Sequence, residues 1–126
     1  MVSDRPRRVL VVEDDNVISE LIRDTLADEG YEVRVATDGA VGLAELANWP
    51  ADIVLLDLMM PVLGGAEFCA QKRSLTQGAN VPVIILTART DAAARAAELD
   101  VAGYLTKPFD LDDLISCVDG LLRAEY

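Results

Sequence analysis

Hydrophobic positions fall into two alternating rhythms. Val9–Val12, Ile53–Leu56 and Val83–Leu86 are short unbroken apolar runs, too short for ordinary helices and rich in β-branched residues. Such runs predict strands buried on both faces. Val33 and Val35 alternate with Glu32 and Arg34, as on an edge strand, and Val101–Thr106 supplies a fifth run.

Between the runs, apolar residues recur at helical spacing. Ile18, Leu21, Ile22, Thr25 and Leu26 follow Asn16, a candidate cap, and stop at Gly30. Asp38 and Gly39 open a helix with Leu43, Leu46 and Ala47 that ends before Pro50. Phe68, Cys69 and Lys72 belong to a helix from about Ala66, after a loop with Pro61, Gly64 and Gly65. Gln77–Pro82 is a polar connection, and Asp91–Leu99 is an alanine-rich helix. Asp110 caps a last helix whose Leu111, Leu114, Ile115, Val118, Leu121 and Leu122 share one face. Strands alternating with helices predict an α/β fold, a parallel sheet covered by helices on both sides.

The chain has 126 residues, 52% hydrophobic and 26% charged, a balance suited to one globular domain. Residues 1–126 are expected to form that single domain, with residues 1–7 a flexible N-terminal arm. Eleven basic residues against twenty-two acidic ones leave a net charge of −11, which opposes binding to nucleic-acid backbones and favours divalent cations. The chain contains no histidine, which excludes Ser–His triads and His-ligated zinc. Cys69 and Cys117 lack metal or redox spacing and read as ordinary buried residues. No apolar run approaches the ~18 residues of a membrane helix, and no signal-peptide core follows the N-terminal charges, so a cytoplasmic location is expected.

Ligands of an open parallel sheet sit beyond the carboxyl ends of its strands. The first strand ends in Glu13, Asp14 and Asp15, the third in Asp57, the fourth in Thr87, and the fifth in Thr106, Lys107 and Pro108. Carboxylates gathered at one edge repel by several kcal/mol at ~4 Å and an effective dielectric near 20. A hard dication such as Mg²⁺ relieves that repulsion, with Mn²⁺ able to substitute. A carboxylate beside Mg²⁺, an ammonium and a hydroxyl is equipped to receive a phosphoryl group as an acyl phosphate. Taken singly, these residues are blander: Asp14 or Asp15 as a helix cap, Asp57 as a turn residue, Thr87 as a cap, Lys107 as a surface lysine. Their joint placement at four strand ends favours chemistry.

The segments Val-Leu-Val-Val-Glu-Asp-Asp (9–15), Val-Leu-Leu-Asp-Leu-Met-Met-Pro (54–61), Ile-Leu-Thr-Ala (85–88) and Tyr-Leu-Thr-Lys-Pro-Phe (104–109) resemble those of receiver domains of two-component response regulators. The resemblance runs from Arg8 to about Arg123 and implies a doubly wound (βα)5 fold with strand order 2-1-3-4-5. It implies Asp57 as phosphoacceptor and a Mg²⁺ site made by Glu13 (through water), Asp14, Asp57 and the main-chain carbonyl of Met59. Thr87, the Ala88 amide and Lys107 would bind the phosphoryl group. Thr87 and Tyr104 would form an aromatic switch, and Lys107–Pro108 would be a cis bond. The implied donor is a sensor histidine kinase or histidine phosphotransfer protein. The output is a shift of the helix 4, strand 5 and helix 5 surface toward an unidentified protein target, with no direct nucleic-acid contact, no membrane, and a monomer or weak phosphorylation-dependent dimer. The resemblance makes the chain a signalling module rather than an enzyme.

Three features depart from the family pattern. Thr87 to Lys107 is about two residues short, in the fourth helix or its flanks, where Ala92, Ala93, Ala94, Ala96 and Ala97 offer few anchors. The last helix carries Asp110, Asp112, Asp113 and Asp119, with Arg123 its only basic residue, which argues against the dimer usual for winged-helix regulators. Met59 and Arg89 flank the path of the attacking water, and neither suits orienting it, so a long-lived phosphoryl group is expected. The alternatives are a fragment of a longer transcriptional regulator, a scaffold receiver and an aspartyl-phosphate phosphatase. The phosphatase would need a second Asp where Met59 stands. A flavodoxin-like binder would need a phosphate loop where Glu13–Asp15 stand.

Overall fold

The computed structural model describes residues 6–59, 63–88 and 90–122. Most of the expected N-terminal arm, with Pro61, Arg89 and Arg123, lies outside the described residues. In chain order the elements are β1 (Arg8–Val12), α1 (Asn16–Asp28), β2 (Glu32–Ala36), α2 (Gly39–Asn48), β3 (Ile53–Asp57), α3 (Gly65–Arg73), β4 (Val83–Thr87), α4 (Ala92–Leu99), β5 (Gly103–Thr106) and α5 (Leu111–Leu122). The strands form one parallel sheet in the order β2-β1-β3-β4-β5. β1, β3 and β4 are the central strands, and this is why their apolar runs are unbroken.

Alternation along each strand divides the core in two. Leu10, Val12, Val54, Leu56, Val83 and Ile85 face α2, α3 and α4, meeting Leu43, Leu46, Phe68 and Leu99. Val9, Val11, Ile53, Leu55, Ile84 and Leu86 face α1 and α5, meeting Ile22, Leu26, Leu114, Val118 and Leu122. Each such side chain, fully buried, stabilises the fold by about 1.5–3 kcal/mol. Gly42 lets α2 approach β1: a Cβ there would lie 2.9 Å from Val12 Cγ2.

Local rules account for the ends. Asp15, rather than Asn16, caps α1: its Oδ1 accepts from the Val17 and Ile18 amides at 2.9 and 3.1 Å, leaving Asn16 as the first helical residue. Gly30, at φ +94°, turns the chain from α1 into β2. The strand expected from Val101 begins at Gly103; Val101 packs against the core cluster and the Ala102 amide donates to Val83 O at 2.8 Å. Leu21, Ala47 and Leu111 face solvent, contrary to the helical-face reading. Cys69 is buried and Cys117 half-buried, and both are free thiols.

At the opposite end of the sheet from the acidic strand ends, Trp49 follows α2 and is 4% exposed. The Arg8 and Arg34 guanidinium carbons lie 5.5 and 4.8 Å from its ring centroid.

Losing the α1 cap removes two charge-assisted bonds to otherwise unpaired amides. Asp15→Ala is expected to cost about 1 kcal/mol in urea unfolding, without change in the m-value. No loss of midpoint would show that the cap does not carry α1.

Candidate functional site

The strand register sets the site. Val12 pairs with Leu56, so the next residues, Glu13 and Asp57, leave neighbouring strands side by side on the same face. Glu13 is 1% exposed and Asp57 3% exposed. Carboxylate oxygens of Glu13, Asp14 and Asp57 lie within 4.8 Å of one another, Asp14 being the exposed member. The Glu13 amide is held by Ala36 O at 3.0 Å, which anchors the turn after β1 to β2. The Met59 amide donates to Asp57 Oδ1 at 2.9 Å and fixes that carboxylate.

Lys107 supplies the cation. Its Nζ lies 2.6 Å from Glu13 Oε1 and 3.5 Å from Asp57 Oδ1. Its amide donates to Thr87 O at 2.8 Å, locking the loop after β5 to the end of β4. The Lys107–Pro108 bond is cis. Burial pushes the Glu13 carboxyl up to about 7, reinforced by hydrogen bonding and charge from Asp57 and opposed by Lys107. Burial alone would lower the Lys107 ammonium, but its bond to Glu13 and the charge of Asp57 carry it above the ordinary lysine value.

Thr87 is completely buried at the end of β4. Ile85 pairs with Tyr104, so Thr87 and Tyr104 project on the α4 side of the sheet. Tyr104 is 45% exposed. Ala88 follows β4 and is exposed, as is Met59; the expected water-path residue Arg89 lies outside the described residues. Glu13, Asp14, Asp57 and Lys107 therefore meet, with Thr87 at the adjoining strand end. Pairing of Lys107 with Glu13, closer than with Asp57, was not foreseen; the strand-end inventory places these residues at one edge without ranking partners.

Three oxyanions around one ammonium leave an excess of negative charge, and oxygen donors at this spacing fit a hard divalent cation. Glu13, Asp14 and Asp57 are the side chains that would hold it.

Fold and site together define a response-regulator receiver. A family model for the response regulator receiver domain matches residues 9–119, and the chain belongs to that family. The response regulator MprA of Mycobacterium sp. strain KMS is 44% identical over 120 residues, 94% of this chain and 51% of that protein. MprA of Mycobacterium avium strain 104 is 42% identical over 118 residues, 92% of this chain and 51% of its own. The chain thus spans about half the length of the curated relatives it matches. Chemotaxis protein CheY4 of Vibrio cholerae superposes with a TM-score of 0.85 at 32% identity, covering 93% of this chain and 99% of that one. The receiver domain of sensor histidine kinase PA1611 from Pseudomonas aeruginosa PAO1 superposes with a TM-score of 0.82 at 28% identity, covering 92% and 97%, and holds a magnesium ion in its active site cleft. Two-component signalling is accordingly the setting of this receiver domain. Among the described residues no helix is long and apolar enough to cross a membrane.

Proposed function

We propose that Asp57 accepts a phosphoryl group from a phosphohistidine on a sensor kinase or phosphotransfer protein, in a Mg²⁺-dependent step. The observation that carries this reading is the nearly buried Asp57 carboxylate, flanked by Glu13 and Asp14 and 3.5 Å from Lys107 Nζ. An Asp57 oxygen attacks phosphorus, the phosphorus–nitrogen bond breaks, and the histidine keeps the electron pair and takes a proton. The Met59 amide holds Asp57 Oδ1, the oxygen that Lys107 also approaches, in place. Lys107 balances charge on the phosphoryl oxygens, and Thr87 with the Ala88 amide donates to them. Asp14, Asp57 and the Met59 carbonyl, with Glu13 through water, would hold the metal, which would supply Lewis-acid neutralisation when bound; Mg²⁺ is the expected ion and Mn²⁺ a substitute. Movement of Thr87 toward the phosphoryl group opens space on the side it shares with Tyr104, which turns inward and shifts the α4–β5–α5 surface toward a downstream protein. Neither Met59 nor Arg89 is a carboxylate or amide suited by residue type to orient water, which gives the acyl phosphate a long lifetime.

Intact mass after incubation with Mg²⁺ and phosphoramidate tests the reading. The expected result is one added phosphoryl group, abolished by EDTA. Unchanged mass in folded, Mg²⁺-loaded protein would favour a scaffold role instead.

We read the chain as one receiver domain acting in the cytoplasm. A second reading, the receiver part of a longer transcriptional regulator, is favoured by relatives of about twice its length. An immunoblot of the native host with antibody to this domain separates the two by size.

A further inference from the structure

At the opposite pole of the sheet, a cleft of about 470 Å³ opens between the C-terminal ends of α3 and α4. It reaches Val83, the first residue of β4, about 13 Å of strand away from Thr87. Its charged lining side chains are Lys72, Arg73 and Asp100. Lys72 is 6% exposed, yet its Nζ donates only to a neutral carbonyl, Ala79 O at 2.9 Å. Arg73 likewise donates to Leu99 O at 3.2 Å. Neither makes an ion pair among the described residues. A third cation, Arg95 of α4, is near enough for its charge to act on Cys69, which also lines the cleft. Arg95 bonds Glu98 through one nitrogen, while its Nε is buried without a hydrogen-bond partner among the described residues.

This concentration is unexpected in a chain of net charge −11. The ends of α3 and α4 present carbonyl dipoles that offset part of this cationic charge, and Asp100 is the one acid among the lining side chains, which leaves Lys72 and Arg73 in net excess. Burial pushes the Lys72 ammonium down, as it does for a cation lacking a counter-charge. An ammonium with spare donors beside a guanidinium fork suits a planar or tetrahedral oxyanion. Pro82, Leu99 and Val101 complete the walls with apolar surface fit for a short carbon skeleton.

We propose that this cleft binds a small oxyanion, a phosphate or carboxylate group carried on a compact metabolite, as a second ligand site independent of Asp57. The test follows backbone amide shifts of the full chain, without Mg²⁺, during titration with inorganic phosphate in one arm and malonate in the other, at constant ionic strength. Saturating shifts at Arg73, Ala79, Asn80 and Val101 are expected in the millimolar range, and the responding arm identifies the oxyanion. Arg73→Gln, a change at an exposed position, should weaken binding about tenfold, the equivalent of one charge-assisted bond. Lys72→Met should abolish it, with unchanged shifts in β1 and β3 reporting an intact fold. Linear, unsaturating shifts in both arms, shifts confined to Asp57 and Lys107, or saturation that survives both substitutions would each overturn the proposal.

Discussion

Asp57→Asn is expected to abolish the phosphoryl gain and, without metal, to make the fold more stable. The amide has no anionic oxygen to attack phosphorus, so the loss of labelling should be complete. The stability gain follows from crowding. Asp57 and Glu13 are both buried beside a single ammonium, and Lys107 lies nearer to Glu13, at 2.6 Å, than to Asp57, at 3.5 Å. Removing the Asp57 charge relieves repulsion while leaving the closer pair intact. A gain of about 1–2 kcal/mol is expected, of the size typical when a strained functional site is relaxed. That corresponds to roughly 4 °C in Tm per kcal/mol for a domain of this length. Saturating Mg²⁺ should shrink the difference, because it binds the form that keeps all three carboxylates more tightly than the amide variant. A variant that still acquires the phosphoryl group would show that another carboxylate is the acceptor.

The second large effect concerns Lys107. Replacing it with Met keeps the aliphatic stem but leaves Glu13 and Asp57 buried without their cation. Breaking a buried pair on one side costs about 3–5 kcal/mol. The loss should depend on pH in a defined direction. In the native protein, burial already raises Glu13 from its ordinary 4.5 to about 7. A carboxyl whose folded pKa is raised binds its proton more tightly folded than unfolded. Its contribution therefore falls as pH rises from about 4.5 to about 7. Without Lys107, Glu13 shifts further up, so the deficit should be largest near pH 8 and should shrink toward pH 5, where protonation replaces the missing cation. Urea melts at the two pH values measure this. Glu13→Gln in the same background should restore most of the stability at pH 8. A deficit independent of pH and not rescued by Glu13→Gln would place the cost in packing rather than charge. Phosphoryl transfer should fall in Lys107→Met even with Mg²⁺ present, since the metal neutralises only part of the developing charge.

The sheet was legible because β1, β3 and β4 are enclosed by helices on both faces, so their runs contain only apolar residues until the strand emerges at the functional edge. Glu13, Asp57 and Thr87 were visible for the same reason: each is the first polar residue after such a run. Less legible was whatever depends on fine geometry. Asp15 and Asn16 are equally good caps by residue type, and only backbone φ and ψ at Asp15 decide between them. Leu111 and Leu21 fit a helical apolar face but fall at its margins, where the sheet no longer covers them. Lys107 takes Glu13 as its close partner because the loop after β5 is pinned to Thr87 O, a long-range bond that no local pattern encodes.

The aromatic ring enclosed by Arg8 and Arg34 has a practical consequence. Trp49 is the only tryptophan in the chain, so intrinsic emission excited at the indole band reports a single, fixed environment. Its neighbours include two guanidinium groups from β1 and β2, so unfolding of the sheet removes both from the ring. The optical signal should therefore follow cooperative unfolding of the sheet while staying nearly silent to metal binding and phosphoryl transfer at the other pole, a built-in denaturation gauge that needs no added dye.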